Sequence, residues 1–216
     1  DCRFPSADLD VIASLPELTN LTMIDCGMST IAGLEKAQNL VSLDLANNTI
    51  RNLEPLSGLL SLRRIDLNHN ALTSLTALSA LSNLEELDVS YNSLSSIAPI
   101  ATCRNLEKLN VSNNSLFNLG AVDNLPELTV LTADHNDLTD VEILANCTEL
   151  VELDISNNNV SQITSLSALE KLEIFKFAYN QVETIPSWSS SGKLRLIDGS
   201  HNQIKSIASL GVLQKL

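Results

Sequence analysis

Apolar residues recur along this chain at steps of 3, 2, 3 and 2 followed by a run of threes, as in Leu40, Leu43, Leu45, Asn48, Ile50, Leu53, Leu56, Leu59 and Leu62. The hydrophobic step of two marks the one extended stretch, because alternate side chains of a strand face opposite ways. A short strand is therefore predicted from about Ser42 to Ala46. The run of threes suits tight three-residue turns of the 3₁₀ kind better than an α-helix. The whole pattern repeats every 22 residues, with one position keeping time in it: Cys26, Asn48, Asn70, Asn92, Asn114, Asn136, Asn158, Asn180 and Asn202. A unit this short cannot bury its leucines alone, so successive coils must stack and share a core. Nine strands at the usual spacing of about 4.8 Å make a ladder of roughly 40 Å.

The frame L-x-x-L-x-L-x-x-N-x-L at a period between 20 and 29 is the signature of the leucine-rich repeat. The predicted fold is an α/β solenoid, a right-handed superhelix of nine 22-residue repeats with a parallel β-sheet on the concave face and a 3₁₀ or irregular convex face. Residues 1–17 read as an N-terminal cap, with a helix as one option, in which Phe4, Pro5, Leu9, Val11, Ile12 and Leu15 fold over the first coil. Residues 18–216 form the repeat domain. No polar closing repeat precedes Leu216, so the expectation is a domain truncated at that end, or one covered there by a neighbour. The asparagines are expected to form an internal column, since Asn both donates and accepts at a bend where backbone groups would be buried unpaired.

Charge narrows the partners. With 26 acidic against 13 basic residues and a formal charge of -13, no nucleic acid is expected, because phosphate binding needs clustered Lys and Arg. A basic protein or a neutral sugar surface fits better. No run of 18 apolar residues exists, so no membrane insertion is expected. The chain starts at Asp1 without Met or an apolar leader, so either a signal peptide has been removed or the chain has been trimmed. Of the four cysteines, Cys103 and Cys147 stand where Leu59, Leu81, Leu125 and Leu169 do, and read as core fillers. Cys26 takes the asparagine position and only Cys2 lies off the template, which leaves a Cys2–Cys26 disulfide open.

The stretch IAGLEKAQNLVSLDLANN from Ile31 to Asn48, followed by Leu53-Glu54-Pro55-Leu56, resembles repeats of Gram-positive surface proteins, and with the 22-residue spacing it resembles the bacterial internalins. The opening Phe4-Pro5 is similar to their entry segments. The resemblance implies a non-catalytic recognition module, secreted or on a bacterial cell surface, that binds a protein ligand or, second to that, a carbohydrate. The same short-repeat class includes a regulatory subunit of protein phosphatase. The alternative it implies is a cytoplasmic scaffold regulating a partner enzyme, although the bulky concave aromatics and C-terminal cap of that group are absent from this sequence.

Function is expected on the outward strand positions, read as those six, four, two and one residues before each asparagine. The fourth-before column runs Thr22, Asp44, Asp66, Asp88, Asn110, Thr132, Asp154, Lys176 and Asp198. Its three consecutive aspartates would repel one another and could attract a cation or a partner's lysines. The sixth-before column is polar in the early coils but carries Val130, Ile174 and Leu196 later. An apolar patch with charged and aromatic neighbours is a usual recognition surface, and it nominates Val130, Thr132, His135, Ile174, Lys176, Tyr179 and Leu196 as the partner-binding set.

No catalytic residue, metal site or cofactor is expected. The sequence has no G-x-S-x-G elbow, H-E-x-x-H, phosphate-binding loop or CxxC. His69, His135 and His201 all stand just before an asparagine, about 14 Å apart in sequence order by the strand spacing, too far to share a metal. They read as exposed rim residues. Six N-x-S/T sequons begin at Asn20, Asn47, Asn110, Asn113, Asn146 and Asn159, and several would place glycans on the concave strands. In the eighth coil Trp188 falls where Leu56, Leu78 and Leu166 are buried, and reads as a core plug compensating for Ser191.

Overall fold

The computed structural model describes residues 9–188 and 193–212. A short helix, α1 (Leu9–Ala13), precedes nine three-residue strands: β1 (Asn20–Thr22), β2 (Ser42–Asp44), β3 (Arg64–Asp66), β4 (Glu86–Asp88), β5 (Lys108–Asn110), β6 (Val130–Thr132), β7 (Glu152–Asp154), β8 (Ile174–Lys176) and β9 (Leu196–Asp198). They form one sheet in the order β1 to β9, every pair parallel. The register is set by the repeat, with Leu21 opposite Leu43, Leu43 opposite Ile65, and so on to Phe175 opposite Ile197. Short 3₁₀ turns such as Glu54–Leu56, Ala98–Thr102 and Thr164–Ala168 return the chain. The fold is thus the leucine-rich repeat solenoid expected from the spacing.

The core is one continuous column of the template leucines, from Ile31 and Leu34 through Leu59, Leu87, Leu116 and Leu144 to Leu172, all nearly inaccessible. Cys103 and Cys147 sit in it as predicted, with their thiols 3.6 Å from the carbonyls of Leu78 and Val122. Burial, aided by the charge of Asp123, pushes the Cys147 thiol up to about 11. Trp188 is also core: its ring meets Phe175 edge-on at 6.1 Å, and its indole N–H donates to the Leu166 carbonyl at 3.1 Å. Its supposed counterpart Ser191, and Cys2 with any disulfide to Cys26, lie outside the described residues.

Each asparagine amide joins two coils. Asn114 Oδ1 accepts the Leu94 N–H at 2.9 Å, while Nδ2 donates to the carbonyls of Val89, Val111 and Ser112 at 3.0, 3.1 and 3.2 Å. The same set recurs at Asn70, Asn92, Asn136, Asn158 and Asn180. Cys26 shows why the first coil can dispense with it. The amide's cross-coil bonds all reach toward the preceding coil, and among the described residues no strand precedes the coil of Cys26, only α1; its own N–H donates to Asn48 Oδ1 at 3.1 Å.

Two expectations need correction. The strands end at the fourth residue before the asparagine, not the second, because the chain bends there: Asp44 Oδ1 accepts the Ala46 N–H at 3.1 Å, and Asn47 takes a left-handed φ of 57°. The second-before residue is drawn into that bend and buried at Ala46, Ser90, Ser112, Ser156 and Ala178, so it is not a regular surface position. In the cap, Leu9 and Ala13 are buried and Asp10 pairs with Lys36 at 2.9 Å, whereas Val11 and Leu15 are 67% and 54% exposed. One face of a single short helix can reach the first coil, and those two lie off it. Phe4 and Pro5 lie outside the described residues.

Replacing Asn114 by Leu strips the Leu94 N–H of its acceptor, at about 1–3 kcal/mol if it stays dry, and removes one of the two donors from each of the Val89, Val111 and Ser112 carbonyls, which keep Asn92, Asn136 and the Tyr91 N–H. Asn114→Leu should therefore lower the thermal midpoint far more than the surface control Glu127→Gln. Equal melting curves for the two variants would contradict the structural role of the column.

Candidate functional site

The outward face of the sheet is built from the first and third residue of each strand. Between them the central residue points inward, giving the alternation of exposed or half-buried with buried along β2, β4, β6 and β7. A hollow of about 440 Å³ lies on this face over β2 to β6. Its floor carries Asp44, Asp66 and Asp88 in register, then Asn110 and Thr132, with Arg64, Glu86, Lys108 and Val130 along one side.

The first-residue column forms an ion-pair ladder over β3 to β5. Glu86 takes Lys108 at 3.0 Å and Arg64 at 3.7 Å. On the adjoining edge Arg63 pairs with Glu85, and Arg195 with Glu173 at 3.2 Å. These pairs are partly exposed and contribute little stability, but they consume the positive charge of the face.

The same strand position shifts two carboxyls in opposite directions. Burial pushes the Asp66 carboxyl above its usual range, and the like charges of Asp88 and Asp44 add to this against hydrogen bonds from Asn68. At Asp198 the Ser200 backbone N–H and hydroxyl hold the carboxyl below its usual range, helped by nearby Lys176 and His201.

Of the nominated set, Val130, Thr132, Ile174, Lys176 and Leu196 do project from the outward face. Ile174 and Leu196 are direct partners across β8 and β9, and Leu196 is 39% exposed. Val130 is separated from Ile174 by Glu152. Lys176 Nζ lies 3.5 Å from Asp154. His135 and Tyr179 are not on strands: they sit on the bend beyond it, at φ of 53° and 55°. All nine residues at that position are left-handed, which favours Asn, Asp and His and explains why all three histidines share the slot. Tyr91 and Tyr179 are the bulky exceptions, and each stacks on a histidine of a neighbouring coil, His69 at 3.9 Å and His201 at 4.0 Å between ring centroids. All three histidines are exposed, and His135 Nδ1 lies 2.7 Å from Asp134. Among the described residues no cluster of His, Cys, Asp and Glu could hold a metal ion.

The hollow brings together residues the sequence reading left out of its site, chiefly Asp44, Arg64, Asp66, Glu86, Asp88 and Lys108. The aspartate column was visible in the sequence, but not which of its members would find a counter-charge.

Residues 38–80, 82–125 and 126–171 match the family model for leucine-rich repeats in two copies. The chain belongs to the leucine-rich repeat family. Among solved structures it is similar to an internalin, InlF, of Listeria monocytogenes, at 26% identity over 98% of this chain and 72% of that one, with a TM-score of 0.84. Internalin C2 of the same organism gives 27% identity, 99% and 82% coverage and a TM-score of 0.77. A leucine-rich repeat protein of Leptospira interrogans gives 25%, 96%, 55% and 0.91. No curated protein matches the chain by sequence. The leucine-rich repeat protein is thus internalin-like, and a binding role without catalysis is consistent with its family. Among the described residues no helix is long and apolar enough to cross a membrane.

An acid whose folded pKa lies above its unfolded value destabilises the fold once ionised, and that loss disappears as pH falls through the folded pKa. Asp66→Asn should raise the thermal midpoint at neutral pH by about 1–3 °C and leave it unchanged once both states are protonated, below about pH 3. A lower midpoint at neutral pH would mean that the hydrogen bonds from Asn68 outweigh burial and repulsion.

Proposed function

We propose that this leucine-rich repeat protein is a non-catalytic recognition module that binds a protein ligand through the concave sheet, in a secreted or bacterial cell-surface setting. The observation that carries the reading is the pair Ile174 and Leu196, apolar side chains in register on the solvent side of neighbouring strands. Water-facing apolar groups on an open sheet gain free energy when a partner covers them. Val130, Thr132, His135, Lys176 and Tyr179 supply the neighbouring contacts, and the half-exposed Tyr179 ring is an anchor of the kind that dominates interfaces. The likeness to two Listeria internalins supports the setting.

Interface energy concentrates in a few anchors, so losing the right ones removes at least about 2 kcal/mol of binding. Labelled surface and secreted proteins passed over the immobilised chain should yield a ligand that Ile174→Ala combined with Tyr179→Ala no longer retains, the variant keeping its fold by circular dichroism. The convex change Arg51→Ala should leave capture intact. A ligand indifferent to the concave pair, or reproducible substrate turnover lost with a concave residue, would sink the proposal.

A further inference from the structure

Among the described residues the concave face carries its unpaired carboxylates unevenly: three stand side by side on β2 to β4, whereas Glu152 and Asp198 stand singly on β7 and β9. Every basic side chain projecting from its described strands already meets a carboxylate: Arg64 and Lys108 share Glu86, and Lys176 lies against Asp154. Asp44, Asp66 and Asp88 stand on three adjacent strands, and no ion pair among the described residues involves them. Each uses one oxygen to accept a bend N–H, from Ala46, Asn68 and Ser90 at 3.1, 2.9 and 2.8 Å. Asp88 Oδ2 also accepts from Asn110 at 2.8 Å, but the second oxygens of Asp44 and Asp66 receive no donor among the described residues.

Toward the other end the hollow becomes neutral at Asn110 and Thr132 and apolar at Val130, and beyond it lie Ile174 and Leu196. No outward residue of the nine strands is aromatic. A neutral sugar would find no ring to stack on along the strands, the bend rings of Tyr91 and Tyr179 being stacked on His69 and His201 already, and would bring no charge to the three carboxylates. A polypeptide can satisfy both ends, because one chain carries cationic and apolar side chains at a chosen separation.

Resting on the concave sheet as the recognition surface, we propose that it takes a single polypeptide segment laid across the strands, with a lysine or arginine over Asp44, Asp66 and Asp88 and an apolar side chain over Val130 and onward to Ile174. Asp66 and Val130 are three strand spacings apart, roughly 14 Å. That separation corresponds to about four residues of an extended chain or about nine or ten of a helix. The formal charge of -13 steers a basic segment toward the protein, and the acidic end fixes which way round it lies.

The probe is a random peptide library displayed on phage, with peptides long enough to span the face, selected against the whole chain. The selected peptides should carry Lys or Arg toward one end and Leu, Ile or Val toward the other. Their affinity should fall at least about tenfold on the triple variant Asp44→Asn, Asp66→Asn, Asp88→Asn, with a flattened salt dependence. Asparagine is tolerated in this position: Asn110 Oδ1 accepts the Ser112 N–H at 3.1 Å, the same bond the aspartates make. Val130→Ser with Ile174→Ser should weaken binding similarly but keep the salt dependence. Selected peptides without basic residues, or undiminished on the triple variant, overturn the polarity; if they still lose affinity on the serine pair, concave recognition survives that failure. Peptides indifferent to both variants remove concave recognition as well. A selection that returns nothing above the bare support also overturns the proposal.

Discussion

An asparagine side chain ends in one strong acceptor and a two-proton donor, and in this solenoid both ends meet backbone groups at a bend. At Asn180 the oxygen takes the Val160 N–H from the previous coil, while the NH₂ donates to Ile155 in that coil and to Phe177 and Ala178 in its own. The alternative is a group of backbone dipoles turned into an apolar core without partners, which a solenoid of leucines cannot tolerate. Because the amide must reach backbone groups in two coils at once, the bend is held in register from one coil to the next. The parallel strand register and the stacked leucines accompany that alignment.

The bend also dictates residues that look functional in isolation. Aspartate four before the asparagine accepts the N–H of the residue two later, which turns the chain out of the sheet. The residue just before the asparagine then has φ between 51° and 57°, where Asn, Asp and His are least strained. Histidines, asparagines and aspartates therefore accumulate along the rim for backbone reasons. The two tyrosines carry the larger steric strain of that conformation, and their ring stacks on His69 and His201 offset part of it.

A structural aspartate column still creates an electrostatic surface. Where a neighbouring strand supplies a lysine, as Lys176 does for Asp154, the column is neutralised. Where strands β2 to β4 place their aspartates side by side, partial burial pushes the Asp66 carboxyl above its ordinary value and repulsion from Asp88 and Asp44 adds to it. The first-residue column cannot relieve them, since its Arg64 and Lys108 are held by Glu86. Repetition of a good local solution thus leaves a collective charge that a single repeat would not show.

The sequence by itself determined the fold, because a 22-residue repeat of buried and bend positions admits one stacking, and it determined that Cys103, Cys147 and Trp188 are core, since each occupies a leucine slot. It also located the outward columns that hold Val130, Ile174 and Leu196. Periodicity cannot show where each strand stops, and it is the left-handed bend that encloses the second-before residues Ala46, Ser90 and Ser112. Nor could it distinguish one end of the aspartate column from the other. Which carboxylate finds a cation depends on side chains reaching across from residues 22 positions away, and only the stacked coils bring Lys176 to Asp154 while leaving Asp44, Asp66 and Asp88 facing one another.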